Sequence, residues 1–387
     1  MSDLAGSLRL ARTDGVGPIA YRRLIARYGT ARAALDNLPA LARAGGGRPP
    51  AIPGKAAIED EIAAVHRLGG RFLMLDAPDY PPFLALLDDP PPVLAVLGDP
   101  AILSARAVAI VGGRNASANG QRMAETLAAE LAEAGFAVVS GLARGVDAAA
   151  HVGALSAGKT VACVAGGLDQ PYPPENAGLQ ARIAETGAVA AEAPFGTAPL
   201  ARHFPRRNRV IAGLALGVVV VEAAPRSGSL ITARLAQEAG RELFAVPGSP
   251  LDPRCRGSND LIRQGAVLTE SAADILANLP DHPGRTGIAR DPLFVRGPPT
   301  GLSEAAEIWV EPPESAADLA ATRLQVLELL GPSPTPVDDL VRRCQFSAAA
   351  VMAALLDLEL AGRIETLPGQ RVVLIAEPGP QGPFRNS

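Results

Sequence analysis

The sequence predicts an α/β chain in which a doubly wound, mostly parallel sheet is set between an N-terminal helical module and a C-terminal winged helix. Three observations predict it. Between about residues 100 and 280, six short runs (107–111, 137–139, 160–164, 188–191, 218–222 and 243–246) alternate with helical stretches such as 121–134 and 230–239. Each run is mostly apolar and bounded by Gly or Pro, as strands buried on both faces are, and alternating β and α with short connections builds a parallel sheet. Before residue 75 and after residue 317 the periodicity is helical instead.

Residues 1–75 read as amphipathic helices around the turn Asp14-Gly15-Val16-Gly17-Pro18. A Gly-x-Gly turn between helices is similar to helix-hairpin-helix and SAM-like modules, in which backbone amides can face a phosphate. The first 40 residues carry six arginines against three aspartates. The same pattern also fits a plain packing module. Gly45-Gly46-Gly47-Arg48-Pro49-Pro50 is a loop within this region. Asp88-Asp89-Pro90-Pro91-Pro92 then leads into a strand-like run at 93–97, at the start of a sheet domain assigned to 76–280.

Residues 281–316 read as a Pro/Gly-rich linker that carries Trp309, placed to dock on a neighbouring domain. Residues 317–376 form the third unit. Helices are expected at 319–330, 337–343 and 347–361, followed by a hairpin of 363–367 and 371–375 around Pro368-Gly369; 377–387 is a tail. Three helices and a β-wing is the winged-helix order. The unit has five basic residues against seven acidic ones, and 347–360, SAAAVMAALLDLEL, holds no Lys or Arg. A major-groove reader needs donors for phosphates and base edges. This helix is therefore expected to meet protein.

Composition narrows the function classes. Of 387 residues, 48% are hydrophobic and 20% charged, which excludes disorder along most of the chain. No run of 18 apolar residues is present, so no transmembrane helix is expected, and MSDLAGSLRLARTDG lacks the apolar core of a secretory leader. Cys163, Cys255 and Cys344, odd in number and far apart, exclude a disulfide framework and a cysteine metal site. A cytoplasmic protein without cofactor or metal is expected. The net charge of −4 argues only against a globally basic nucleic-acid binder. Lys55 and Lys159 are the only lysines, and arginine enrichment beside so many alanines reflects codon bias. Arginine position informs more than arginine count.

In open α/β sheets ligands bind beyond the carboxyl ends of the strands. The first strand ends in Gly112-Gly113-Arg114-Asn115-Ala116-Ser117-Ala118-Asn119-Gly120, then a helix. Glycines admit an anion to backbone amides, the helix end adds positive dipole, and Arg114 offers a bidentate phosphate donor. The loop is neither G-x-G-x-x-G nor a Walker P-loop. Ser140 to Asp147 follows the second strand, where Arg144 and Asp147 read as a structural clip and His151 as a buried core histidine. Lys159, before the third strand, has the reach to meet a phosphate. Arg202, Phe204, Arg206, Arg207, Asn208 and Arg209 form the densest basic stretch of the chain. Arginines for the backbone and an aromatic for a base suit a sequence-tolerant single-strand site, with Phe204 as the stacking platform. About half of these arginines are assigned to ligand, the others to ion pairs with Glu192 or Glu222. A second anion-ready helix start is Ser227, Gly228, Ser229 and Thr232.

The segments GGRNASANG, SGLARGVDAAAH, GGLDQPYPPEN, FPRRNRVIAGLA, VVVVEAAPRSGSLITARLAQEAGRELFAVPG and NDLIRQGA, in that order from Gly112 to Ala266, closely resemble the DprA/Smf family of bacterial DNA-processing proteins. The resemblance implies an extended Rossmann-like domain flanked by SAM-like and winged-helix domains. It also implies a protein without enzymatic activity. Such proteins bind incoming single-stranded DNA with little sequence preference, act as homodimers, and load the recombinase RecA in natural transformation. The family's Gly-Ser-Arg loop reads Gly112-Gly113-Arg114 here, so one hydroxyl donor is lost and the guanidinium kept. Arg114, Lys159, Arg206, Asn208 and Arg209 are the positions the family's site implies. A competing enzymatic reading is a Rossmann-like nucleotide phosphoribohydrolase, with the SGSLIT turn and Glu238. Its Pro-Gly-Gly-x-Gly-Thr signature is absent.

Overall fold

The computed structural model describes residues 3–280, 316–331, 333–344, 346–367 and 369–375. The expected linker with Trp309, and the tail from 377, lie outside them. The chain opens with three helices, α1 (Leu4–Ala11), α2 (Pro18–Tyr28) and α3 (Ala31–Ala44). The sheet region then runs α4 (Lys55–Arg67), β1 (Gly70–Met74), α5 (Pro82–Ala85), β2 (Val93–Gly98), β3 (Ala107–Gly112), α6 (Ala118–Glu133) and β4 (Ala137–Ser140). It continues through α7 (Val146–Ala157), β5 (Thr160–Val164), α8 (Ala177–Thr186), β6 (Ala188–Ala191), α9 (His203–Leu214) and β7 (Gly217–Val221). It ends with α10 (Gly228–Glu238), β8 (Glu242–Ala245), α11 (Arg256–Arg263), β9 (Val267–Leu268) and α12 (Ala272–Asn278). The contacts divide the chain into two compact units, one built on Lys55 onward and the sheet, the other joining Gly6–Gly54 to the C-terminal segment.

The sheet has nine strands in the order β1-β2-β6-β5-β4-β3-β7-β8-β9. From β6 to β9 every pairing is parallel, and β1 and β2 add an antiparallel pair at one edge. The six runs anticipated from 107 to 246 each fall on a strand. The period of two is visible in the core. Ala109 of β3 and Val218 and Val220 of β7 pack with Val210 and Ile211 of α9. Val108, Ile110, Val219 and Val221 point the other way, against Leu127 and Leu131 of α6. Burying each such Val, Ile or Leu contributes about 1.5–3 kcal/mol. The stretch read as helical through residue 75 ends instead in strand β1, entered through Gly69 at φ +85°. An edge strand this short carries too little apolar run to register as one. The order reverses between β3, which leads outward to β4, and β7, which leads to β8 on the other side. A crevice opens there, beyond the carboxyl ends.

His151 is wholly buried in α7. Thr160 spends its hydroxyl proton on Val138 O at 2.7 Å, so the His151 Nδ1–H donates to Thr160 Oγ1, also at 2.7 Å. Burial, and secondarily the nearby Arg207 charge, push the imidazole down to about 3 from 6.5. The unfolded chain therefore takes up a proton that the folded chain refuses. Stability is complete above pH 6.5 and falls between there and about pH 3, by at most about 1.4 kcal/mol per pH unit. Urea unfolding from pH 7 to 4 is expected to show this slope in the wild type and to lose one proton's share of it in His151→Gln. Equal slopes would refute the assignment.

In the second unit, α13 (Ala316–Leu329), β10 (Thr335–Pro336), α14 (Val337–Arg343), α15 (Ala348–Leu360), β11 (Ile364–Leu367) and β12 (Arg371–Leu374) form a winged helix with a β10-β12-β11 sheet. Helix α15 is apolar around most of its circumference because it serves two cores. Val351, Ala354, Leu355 and Leu358 fill the winged-helix interior. Leu356 and Leu360 sit among Leu10, Leu24, Leu35 and Leu38 of the N-terminal helices. Arg23 pairs with Glu359 at 3.6 Å, and Asp357 is held by Arg323 at 3.0 Å and Arg27 at 3.7 Å. The helix without basic residues meets protein, as its composition implies. At Gly47 a Cβ would lie 2.5 Å from Ala361 Cα, so the glycine loop lets the two halves touch.

Candidate nucleic-acid interface

The crevice is built by three strand-to-helix turns. Gly112 closes β3 directly beside Val221 of β7, and a Cβ there would collide with the Val221 carbonyl oxygen. Gly113 N donates to the same carbonyl oxygen at 3.3 Å. The second turn braces the first: Val146 N donates to Gly113 O at 3.2 Å, and Gly145, at φ +73°, admits the Arg114 backbone where a Cβ would be 2.7 Å from its oxygen. The third turn leads to α10, capped by Ser227, which accepts from Ser229 N at 3.3 Å. Among the described residues, four non-glycine residues take positive φ. Two of them, Glu222 (+49°) and Arg226 (+67°), line the crevice, and Leu142 (+57°) begins the second turn. Backbone held in this region costs of order 1–3 kcal/mol and clusters where a ligand must be met.

The cavity measures about 770 Å³. Of the residues expected at the site, Gly112, Gly113, Arg114, Asn115, Phe204, Arg207 and Asn208 line it, and so do Ser227, Gly228, Ser229 and Thr232. The anion-ready start of α10 thus shares one crevice with the Arg114 loop. Arg114 is exposed, with its guanidinium carbon 5.0 Å from the Phe204 ring centroid. Phe204 in turn meets Tyr172 edge-to-face, with centroids 5.7 Å apart at 67°. Tyr172 is 43% exposed, so an open aromatic ring lies beside the exposed Arg114, whose guanidinium rests on Phe204.

Arg207 plays a different part. It is buried under the crevice floor, where it donates to Gly141 O, to Cys163 O at 2.8 Å and to Asn208 Oδ1 at 3.1 Å. Burial pulls its pKa down and the Asp147 charge pushes it back up. Burial likewise raises Asp147, with Arg207 opposing. Asp147 accepts from Ala143 N at 3.4 Å within the field of Arg207, while Arg144 is clipped to Glu175, so the expected Arg144–Asp147 clip is not formed.

The other residues expected at the site stand outside the cavity lining. Arg209 turns away from the crevice into a buried cluster, 3.1 Å from Asp89 and 2.6 Å from Glu192. Lys159 precedes β5 and so stands at the opposite end of the sheet, its Nζ 3.9 Å from Asp99. Ser117 faces Glu222 behind the loop: its amide donates to the carboxylate at 2.7 Å and its hydroxyl donates to it as well. Arg202 and Arg206 are exposed around the start of α9 without lining the cavity. Glu238, the acid of the hydrolase reading, pairs with Arg234 at 3.6 Å and does not line the cavity. Tyr172, Glu222, Arg226 and Arg254 line the crevice without having been singled out for it. All four follow carboxyl ends of strands, respectively β5, β7, β7 and β8, which is the signal that marks them. Asp252 holds Arg254 at 2.7 Å.

Among the described residues, no group of three His, Cys, Asp or Glu side chains is placed to hold a metal, and no helix is long and apolar enough to cross a membrane. A family model of DNA recombination-mediator protein A matches residues 71–280, the whole of the crevice-bearing region. The chain belongs to the DprA family. A model of the DprA-like N-terminal HHH domain matches 2–64, and one of the DprA winged helix domain matches 310–370. Protein Smf of Escherichia coli (strain K12) is 38% identical over 323 residues, 83% of this chain and 82% of its own. DNA processing protein DprA of Bacillus subtilis (strain 168) is 43% identical over 223 residues, 57% of this chain and 75% of its own. The X-ray structure of DprA from Streptococcus pneumoniae superposes with a TM-score of 0.63 at 32% identity, over 73% of this chain and all of that one. The DprA-family architecture of a mostly parallel sheet, helical N-terminal module and winged helix is thus present in full.

Proposed function

We propose that this DprA-family protein binds single-stranded DNA in the crevice between β3 and β7, independently of sequence. The observation that carries the reading is the juxtaposition of exposed Arg114 with the Phe204–Tyr172 pair at the sheet's switch point. A guanidinium takes phosphate bidentately, and an aromatic face stacks on any base. Arg226, Arg254 and the α10 start continue the phosphate-binding surface around the same cavity. The two acids that line it are engaged in structure, Asp147 on Ala143 N and Glu222 on Ser117, which favours a binding protein over an enzyme. On this reading, which the family resemblance supports, the protein acts as a cytoplasmic homodimer. It protects incoming DNA and passes it to RecA during transformation and recombination.

Fluorescence anisotropy of labelled oligo(dT) across a salt series tests the site. Each phosphate neutralised on a single strand contributes about −0.7 to the log–log slope. Arg114→Ala is expected to weaken oligo(dT) and oligo(dA) equally, by about tenfold, and to flatten the slope by about one such increment. No binding by the wild type at low salt would overturn the reading, and an unaffected mutant would move the site elsewhere.

A further inference from the structure

Glu222 is one of two carboxylates in a cavity furnished with guanidinium groups and a helix amino end, and the binding role above gives it no contact with DNA. We infer that Glu222 is the positioning residue of the Arg114 loop: its carboxylate occupies the anion seat at the amino end of α6 and turns that seat into an anchor. The inference rests on the DNA reading, since it assigns the residue that holds that site's principal cation in place.

The connections form a closed chain. The Glu222 carboxylate accepts from Ser117 N at 2.7 Å and from the Ser117 hydroxyl, and that hydroxyl oxygen accepts from Gly120 N at 3.0 Å. Carboxylate, cap and first helical turn are thereby joined. Gly120 is glycine for this reason: a Cβ would lie 2.7 and 2.8 Å from the two carboxylate oxygens. The other end of the loop is tied to the same strand end. Gly113 N binds Val221 O, and a Gly113 Cβ would be 2.8 Å from Glu222 O. Residues 113 and 117 are thus both fastened to residues 221–222, with Arg114 between them. Glu222 reaches this position through a left-handed backbone, φ +49°, which a non-glycine residue keeps only where its surroundings demand it.

The consequence is chemical as well as mechanical. In a dinucleotide-binding Rossmann domain the amino end of the helix after the first strand receives pyrophosphate. Here negative charge already fills that place, where the helix dipole favours it. An incoming phosphate is excluded from α6 and left to Arg114 and the α10 start. The seat of a small nucleotide has become the brace for a strand-binding loop.

The test uses full-length Glu222→Ala and Glu222→Gln, read by hydrogen exchange of amides 113–120 in the free protein and by oligo(dT) anisotropy across salt. An anchor predicts faster exchange over 113–120 in Glu222→Ala and affinity weaker by about tenfold or more, the loss expected when charge-assisted hydrogen bonds are removed. Glu222→Gln, which retains an accepting oxygen, recovers most of both. A carboxylate that merely repels DNA predicts the opposite sign: both variants bind more tightly with exchange unchanged, and this overturns the proposal. So does unaltered affinity in both variants. If the wild type itself fails to bind oligo(dT) at low salt, the DNA reading falls, while exchange in the free protein still decides the anchor in either direction. Should Glu222→Ala fail to fold, Ser117→Ala removes the hydroxyl part of the same link, with the amide bond left in place, and is read in the same two assays with the same signs and smaller size.

Discussion

Arg207→Ala is expected to cost about 2–5 kcal/mol of stability, because each buried acceptor left without its donor costs about 1–3 kcal/mol. The side chain is enclosed, and its donors supply the carbonyl oxygens of Gly141 at the end of β4 and Cys163 in β5. Truncation leaves those acceptors without this donor and leaves Asp147, already raised by burial, without its principal counter-charge. Lysine does not substitute, because one ammonium cannot reach in two directions as the guanidinium fork does. Gly141 belongs to the same arrangement: a Cβ there would sit 2.7 Å from Asp147 Oδ2 and on the Arg207 guanidinium. Urea denaturation of the sheet unit at neutral pH measures the loss. The decisive comparison is Arg207→Ala/Asp147→Asn, which removes the stranded charge and is expected to be more stable than Arg207→Ala alone. If the double variant is instead destabilised by the sum of the two single effects, Asp147 and Arg207 do not answer one another.

The strands that carry the crevice were legible because they are buried on both faces and so appear as unbroken apolar runs. Strand β1 was not, since GRFLM at a sheet edge offers five residues and one neighbour. The Gly-rich strand ends were legible for a topological reason: in this fold class, small residues after a parallel strand lie at the mouth of the sheet. Individual arginines were not. The stretch 202–209 is dense along the chain, but it enters and follows helix α9, where each residue is rotated by about 100° from the last. Asn208 therefore faces the cavity while Arg209 points at Asp89 and Glu192. A linear count of charge cannot separate these directions. Glu222 was hidden for a related reason. Its partners Ser117 and Gly120 lie more than 100 positions earlier and become neighbours only when β3 pairs with β7.

The same distance in sequence conceals the union of the chain's two terminal segments, and Leu356→Ala tests it. Leu356 is 2% exposed and stands, with Leu360, in a core otherwise made by the N-terminal helices. Val351, Leu355 and Leu358 of the same helix complete the winged-helix core. One helix thus belongs to two hydrophobic interiors, and cutting one side chain from the N-terminal side leaves the other intact. A buried Leu→Ala costs about 2–5 kcal/mol, according to how far the site collapses. That loss is expected in the unit of residues 6–54 and 316–375 and not in the sheet unit. Calorimetry of the full chain should show one transition moving down while oligo(dT) affinity is unchanged, because the crevice is built wholly from the sheet unit. Asp357→Asn is expected to act in the same direction, since Arg27 and Arg323 both rely on that carboxylate. A winged helix that reads nucleic acid through α15 would behave oppositely: freeing the helix would raise affinity for duplex DNA. Unchanged duplex binding with a lowered transition marks α15 as the internal dock of the N-terminal module, which is what a recognition-position helix with no basic residue is chemically suited to be.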